Sequence, residues 1–130
     1  MLYRMLAVGD VVGEAGLRHL EKQLRPLRRL RDIAFVVVNG ENAAGVGLTP
    51  AQRIYDAGAD AVTLGNHTFN KLQIKDFLEE TSWLLRPANY TGRAPGHGCE
   101  IFDLGAVRVR VINLIGRCGL AWGAENPFTT

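Results

Sequence analysis

The sequence lacks long hydrophobic runs, a strong net charge and a secretory leader, and each absence excludes a class of protein. No apolar run approaches the ~20 residues of a membrane-spanning helix. The net charge of +2 is too small to indicate binding to nucleic acid or to an anionic membrane. Met1–Arg4 is not followed by the pattern of a signal peptide. We therefore expect a cytoplasmic protein with no membrane partner.

Cysteine motifs and nucleotide-binding glycine motifs are also missing. Cys99 and Cys118 lie far apart and form no CxxC pair, which favours reduced thiols over a disulfide or a cysteine metal site. Gly9, Gly13 and Gly16 form a glycine-rich turn but do not fit the spacing G-x-G-x-x-G. A dinucleotide-binding fingerprint is therefore unsupported.

Apolar segments alternate with helical patterns along the first half of the chain. Tyr3–Val8, Ile33–Val38 and Ala61–Leu64 are predicted strands, and the first is apolar enough to be buried on both faces. Leucines at helical spacing over Leu17–Leu30 predict one helix between them, and Pro50–Ala57 predicts a second. This order predicts an α/β fold with a mostly parallel sheet flanked by helices.

The remaining elements are predicted less sharply. Pro26 should split or kink the first helix, because proline has no N–H and its ring clashes with the preceding turn. A third helix is expected over residues 71–80, and a short strand over Leu84–Arg86. Glu100–Asp103 and Val107–Leu114 predict a β-hairpin. The length of 130 residues suits one domain.

Three of the predicted strands end in glycine and polar residues. The first runs into Gly9-Asp10, the second into Asn39-Gly40-Glu41-Asn42, and the third into Gly65-Asn66-His67-Thr68. The carboxyl ends of parallel strands meet at one edge of the sheet, where ligands bind in open α/β folds. We therefore expect these side chains to lie together.

The chemistry of this set points to a metal site. Asp10, Glu41, Asn42 and Asn66 offer hard oxygen ligands, and His67 offers an imidazole that can ligate or transfer a proton. Such ligands suit magnesium, manganese, iron or zinc. A carboxylate such as that of Glu41 can bridge two cations ~3.5–4 Å apart. The alternative is that the acids cap helices and the asparagines are turn residues.

These motifs resemble a known family. Gly9-Asp10, Asn39-Gly40-Glu41-Asn42 and Gly65-Asn66-His67 resemble the first three motifs of the calcineurin-like metallophosphoesterase superfamily. Glu41, where most of the superfamily has aspartate, is similar to the YmdB-like branch. Arg86-Pro87-Ala88-Asn89 and Ile112-Asn113-Leu114 also resemble that branch. The resemblance runs from about Arg4 to Phe128.

The resemblance implies a fold and roles for the site residues. Residues 1–130 would form one metallophosphoesterase-like domain, the N-terminal half of a four-layer α/β/β/α sandwich, truncated at the C-terminus. Asp10 and Asn42 would bind a first metal ion, Asn66 a second, and Glu41 would bridge the two. His67 would be the catalytic general acid. The ions would be iron or manganese, with zinc or magnesium as alternatives.

The resemblance also implies a function, although the sequence departs from the family's pattern at two points. The expected protein is a metal-dependent phosphodiesterase, a homo-oligomer in which a dinuclear metal centre activates hydroxide against a small phosphodiester, notably a 2′,3′-cyclic nucleotide. Asp10-Val11-Val12 stands where the wider superfamily has Asp-x-His, which is similar to the YmdB-like branch, and Asn42 would compensate in part. Neither His19 nor His97 matches the three histidines of the family's second half. A catalytically silent domain that serves as a binding or assembly module is therefore an alternative, and a metal-free nucleotide-binding fold is a weaker one.

Overall fold

The computed structural model describes residues 1–43, 48–70, 73–120 and 123–130. Lys71 and Leu72, which fall in the predicted third helix, lie outside the described residues. None of the helices described is long and apolar enough to span a bilayer. The elements, in chain order, are β1 (Arg4–Val8), α1 (Gly13–Leu30), β2 (Ile33–Asn39), α2 (Leu48–Asp56), β3 (Ala61–Thr63), α3 (Ile74–Glu80), β4 (Leu84–Leu85), β5 (Cys99–Asp103) and β6 (Arg108–Ile112).

The first four strands form one parallel sheet in the order β1-β2-β3-β4. Each successive strand adds on the same side of the previous one. Right-handed crossovers in one constant direction place the connecting helices on one face of a sheet. The predicted α/β architecture is confirmed, and so is the hairpin, in which β5 pairs with β6 antiparallel.

A single core joins the helices to one face of this sheet. Leu17, Leu20 and Leu24 of α1 are buried against Val36 and Val38 of β2. The core continues through Ile54 of α2, Val62 of β3, and Ile74 and Leu78 of α3. In this parallel sheet the carboxyl ends of the four strands lie side by side. The loops after β1, β2 and β3 therefore share one edge of the sheet.

The prediction that β1 is buried on both faces is wrong. Leu6 and Val8 pack against the core, whereas Met5 is 57% exposed and Ala7 is exposed on the other face. The cause is the strand order, because β1 is the outer strand and the helices cover only one face. We call the uncovered side of β1 the open face.

The prediction that Pro26 splits the first helix is also wrong, since α1 runs through Pro26 without interruption. Pro26 and Lys22 are both exposed, so water can bond the Lys22 carbonyl that the proline leaves without a donor. The helix also begins earlier than expected, at Gly13, within the predicted glycine turn. Similarly, α2 begins at Leu48, two residues before the predicted start.

The hairpin lies against the other face of the sheet near the start of β2. The rings of Phe35 and Phe102 lie with centroids 5.1 Å apart. Asn113 follows β6, and its side-chain amide donates to the carbonyls of Leu64 (2.7 Å) and Leu85 (3.0 Å). These bonds attach the end of the hairpin to the carboxyl ends of β3 and β4. The second half of the chain thus reaches the edge that carries the predicted site.

Candidate functional site

The loops after β1 and β2 are bonded to each other around Asp10. The backbone N–H of Val11 donates to the carbonyl of Asn39 at 3.1 Å, and that of Gly13 donates to the carbonyl of Asn42 at 2.9 Å. The Asn42 side-chain nitrogen donates to Asp10 Oδ1 at 2.7 Å. Asp10 itself has φ 35°, in the left-handed region that non-glycine residues rarely adopt. Such strained positions cluster at functional sites.

Glu41 joins the second loop to the third. Its side chain is buried, and its carboxylate accepts hydrogen bonds from the backbone N–H groups of Gly65 and His67. The loop can approach this closely only because residue 65 is glycine: a Cβ there would lie 2.9 Å from Glu41 Cδ. The two acceptor oxygens keep further lone pairs for a cation.

Asn66 and His67 project from the same loop. The Asn66 side chain is exposed and His67 is half-buried. His67 Nδ1 lies 3.3 Å from the side-chain nitrogen of Asn70. This contact orients the imidazole ring. The other histidines lie elsewhere: His19 is exposed on α1, and His97 contacts the Thr81 carbonyl at 3.3 Å.

The structure therefore brings Asp10, Glu41, Asn42, Asn66 and His67 to one edge of the sheet, and it excludes a capping role for Asp10. The residue before α1 is Val12, and no side chain caps this helix. Glu41 contacts the loop after β3, not a helix start. Asn42 and Asn66 lie in turns, and the Asn39 side-chain oxygen accepts from the Glu41 N–H at 3.1 Å, so the asparagines also serve as turn residues.

Tyr90 is a site residue that sequence reasoning missed. Its hydroxyl donates to the carbonyl of Gly65 at 3.2 Å, and the Thr68 hydroxyl donates to the same oxygen at 2.6 Å. Burial raises the pKa of Tyr90, and the negative charge of Glu41 raises it further. Tyr90 directly follows the Arg86–Asn89 motif, which was singled out in the sequence. No residue pattern, however, linked Tyr90 to the loop after β3.

Arg86 fixes the segment that carries Tyr90. Its guanidinium is buried and donates to the carbonyls of Pro95 (3.1 Å), Pro87 (2.8 Å) and Ala94 (3.2 Å). Burial lowers its pKa. Asn89 extends this framework, donating to the carbonyls of Ile115 and Glu125. Arg86 and Asn89 thus hold together the backbone segments that lie beside the site.

The donor set fits part of a hard-cation site. Asp10 and Glu41 supply carboxylates, and Asn42 and Asn66 supply amide oxygens, which are ligands for magnesium, manganese, iron or zinc. Within the described ranges, no three or more His, Cys, Asp or Glu side chains are grouped closely enough to hold a metal. Four hard ligands without imidazole donors bind transition metals less tightly than sets with histidine.

In comparisons with known proteins, nearly all of this chain matches about half of each relative. The chain is 41% identical to a 2′,3′-cyclic-nucleotide 2′-phosphodiesterase of Bacillus subtilis (strain 168), covering 96% of this chain and 48% of the relative. A crystal structure of a hypothetical protein from Thermus thermophilus matches with a TM-score of 0.85 and 35% identity, covering 97% of this chain and 50% of that one. A crystal structure described as a novel phosphatase of Mycoplasma pneumoniae matches with a TM-score of 0.86 and 31% identity, covering 98% and 48%.

The chain thus spans about half the length of the curated relatives it matches. A family model described as YmdB-like protein matches residues 6–130, which is nearly all of it. The match contains every strand-end motif and both of the asparagine-bearing segments after β4 and β6. The chain belongs to the YmdB-like family.

Proposed function

We propose that this chain supplies one half of the metal site of a metal-dependent phosphodiesterase. The enzyme acts on small phosphodiesters such as 2′,3′-cyclic nucleotides. The observation that carries the proposal is the joining of three strand-end loops. Asn42 bonds Asp10, and Glu41 accepts from the loop of Asn66 and His67. Carboxylates and an imidazole held together at a sheet edge are the groups that metal-assisted hydrolysis requires.

Each residue has a role in this proposal. Asp10 and Asn42 would hold one cation, Asn66 would hold a second, and Glu41 would be shared between them. Iron or manganese is the proposed metal, with zinc or magnesium as alternatives. Cations bound there would polarise a phosphoryl oxygen and lower the pKa of water. The backbone bonds to Glu41 keep its carboxylate oriented, so little reorganisation is needed when a ligand arrives.

His67 is the proposed general acid. Water adds to phosphorus as the bond to the leaving oxygen breaks. In the imidazolium form, His67 gives its Nε2 proton to that oxygen and becomes neutral, and the proton lost by water restores the imidazolium. For a 2′,3′-cyclic nucleotide cleaved at O2′, the products are a free 2′-hydroxyl and a 3′-phosphate. The contact between Nδ1 and the Asn70 side chain supports this role because it orients the ring.

Site variants test the proposal in the protein as the cell makes it. We expect His67→Ala to reduce hydrolysis of a 2′,3′-cyclic nucleotide ~10²–10⁴-fold, the usual contribution of a general acid. Asp10→Ala and Glu41→Ala should also reduce it. His19→Ala is the matched control, because His19 is an exposed histidine on α1. Unchanged hydrolysis in all three site variants would contradict the proposal.

A silent binding or assembly module is the second candidate. It is favoured by the absence of a group of three or more metal-ligating His, Cys, Asp or Glu among the described residues. Metal content separates the two candidates. Elemental analysis of protein purified without chelators should give about two equivalents of iron, manganese or zinc for a two-metal enzyme. A folded protein without bound metal and without metal-dependent turnover would favour the silent module.

Location and assembly belong to the proposal as well. We propose a cytoplasmic homo-oligomer that associates through β1, by both its open face and its outer edge. An outer strand has backbone groups available for pairing with another chain. Met5, exposed beside them, adds apolar area. Association through this surface would bury both.

A further inference from the structure

A cavity of about 610 Å³ opens beside the loop after β3. Its described walls include Asn66 from the proposed site, Phe69, Lys75, Tyr90 and Leu120. Pockets of ~300–1,000 Å³ hold small organic ligands. The cavity is therefore large enough for a nucleoside, and Asn66 connects it to the loops that would hold phosphate.

Two aromatic rings form part of this cavity. The centroids of Phe69 and Tyr90 lie 5.9 Å apart, with the ring planes inclined at 39°. Both rings are fixed: Phe69 packs against the core, and the Tyr90 hydroxyl is bonded to the Gly65 carbonyl. Fixed aromatic rings are platforms on which nucleobases stack, with little loss of side-chain entropy.

The polar groups of the cavity fit a neutral or anionic ligand. Lys75 is an exposed ammonium group at the wall, and Asn70 and Thr91 add neutral hydrogen-bonding groups. No carboxylate occurs among the described residues that line the cavity. Aromatic faces, neutral polar groups and one cation match the faces and edges of a base better than they match a sugar alone.

We propose that this cavity binds the base of the nucleotide whose phosphate is held at the strand-end loops. The inference rests on the proposed phosphodiesterase function and assigns the residues that recognise the base. On ribose, the base is attached to C1′, the neighbour of the carbon that carries O2′. Asn66, which lines the cavity, directly precedes His67 in the chain, so the cavity opens beside the residue proposed to protonate the leaving O2′.

Binding without turnover tests the inference first. Adenosine 3′-monophosphate and ribose 3-phosphate differ only by the base. In the presence of EDTA, NMR titration should show tighter binding of the nucleotide by about tenfold or more, within the range of a base stacked on aromatic side chains. The largest shifts should fall on Phe69, Tyr90 and Lys75. Equal affinity of the two ligands would overturn the inference, and so would shifts confined to other residues.

Variants test the assigned rings. Phe69→Leu and Tyr90→Leu each remove an aromatic face and should bring the affinity for adenosine 3′-monophosphate towards that for ribose 3-phosphate. Tyr55→Leu is the matched control, because the ring of Tyr55, in α2, stacks on Trp83 away from the cavity. Folding of each variant is checked by its NMR spectrum. Where a leucine variant does not fold, Lys75→Gln tests the same cavity from an exposed position, and an unchanged base preference would overturn the inference.

The two proposals fail differently. Base-dependent binding without hydrolysis in the intact protein would support the cavity and contradict the phosphodiesterase function. Hydrolysis with equal KM for a 2′,3′-cyclic nucleotide and for ribose 2,3-cyclic phosphate would support the function and overturn the cavity assignment.

Discussion

Gly65 shows how one residue can serve both the fold and the site. The loop after β3 wraps around the Glu41 carboxylate, and there is no room between them for a side chain. Glu41 is buried, so the two backbone N–H groups that donate to its carboxylate would lose their hydrogen bonds if it moved. The position of the loop, and with it those of Asn66 and His67, depends on this contact.

We predict that Gly65→Ala lowers the free energy of unfolding by ~1–3 kcal/mol, because the new Cβ overpacks against Glu41 and displaces its carboxylate. Urea unfolding measures the loss, and the amide proton shifts of residues 65 and 67 report the broken bonds. Metal retention should fall ~10–100-fold, as for other disturbed ligand supports. Gly92→Ala is the control, because a Cβ there meets nothing within 4 Å. Equal stability of the two variants would contradict the prediction.

At the scale of secondary-structure elements, an ion-pair network joins helices α1 and α2. Arg53 of α2 bonds Glu21 at 2.7 Å and Glu14 at 2.9 Å, both on α1. The hydrogen bonds from Arg53 and Arg18 lower the pKa of Glu14 to about 2, and Arg53 also lowers the pKa of Glu21. The network links the two helices at the surface of the layer that packs against the sheet.

This network predicts a pH dependence of stability. The pKa of Glu14 is lower in the folded state than its ordinary value of ~4.3, so its stabilising contribution is complete above that pH. It is lost as the pH falls through about 2. We expect Arg53→Gln to flatten the decline of unfolding free energy between pH 5 and the acid limit, and to raise the pKa of Glu14 measured by NMR.

Arg29→Gln is the matched control for this prediction, since Arg29 is an exposed arginine on α1. High salt should weaken the effect of Arg53→Gln, because exposed charges are screened. Identical pH profiles for Arg53→Gln and the wild type would show that the network contributes nothing.

At the scale of the whole molecule, the strand order leaves one side of the sheet partly uncovered. All the helices that connect β1 to β4 lie on one face, and the hairpin meets the other face near Phe35 and Phe102. Met5 and Ala7 stay exposed on β1, at the outer edge. An apolar outer strand is a site where chains associate.

We predict that the chain associates with increasing concentration and that Met5→Lys weakens this association about tenfold or more. An unpaired ammonium in an interface costs more than the ~1.4 kcal/mol that corresponds to a tenfold change. Sedimentation velocity over a range of concentrations measures it. Leu30→Lys is the control, because Leu30 is 78% exposed at the end of α1, away from the sheet. Equal effects of the two substitutions would place the interface elsewhere.

Much of the fold and the candidate site could be predicted because the relevant signals are local. β2 and β3 are short apolar runs, and the polar residues that end them are adjacent in the chain. Asp10, Glu41 and His67 could be assigned to one edge because parallel strands bring their carboxyl ends together. Tyr90 could not be assigned in this way, since its bond to Gly65 depends on how the segment after β4 folds back.

The sequence by itself determined the parallel α/β fold, the hairpin and the three loops, because periodicity, β-branched residues and glycine act over a few neighbours. The tertiary structure alone decided which face of β1 stays open, since the order of the strands controls where the helices lie. It also decided that Glu41 is held by the backbone of another loop. Finally, it decided that Phe69 and Tyr90 share a cavity, because contacts between distant segments depend on the packing of the whole chain.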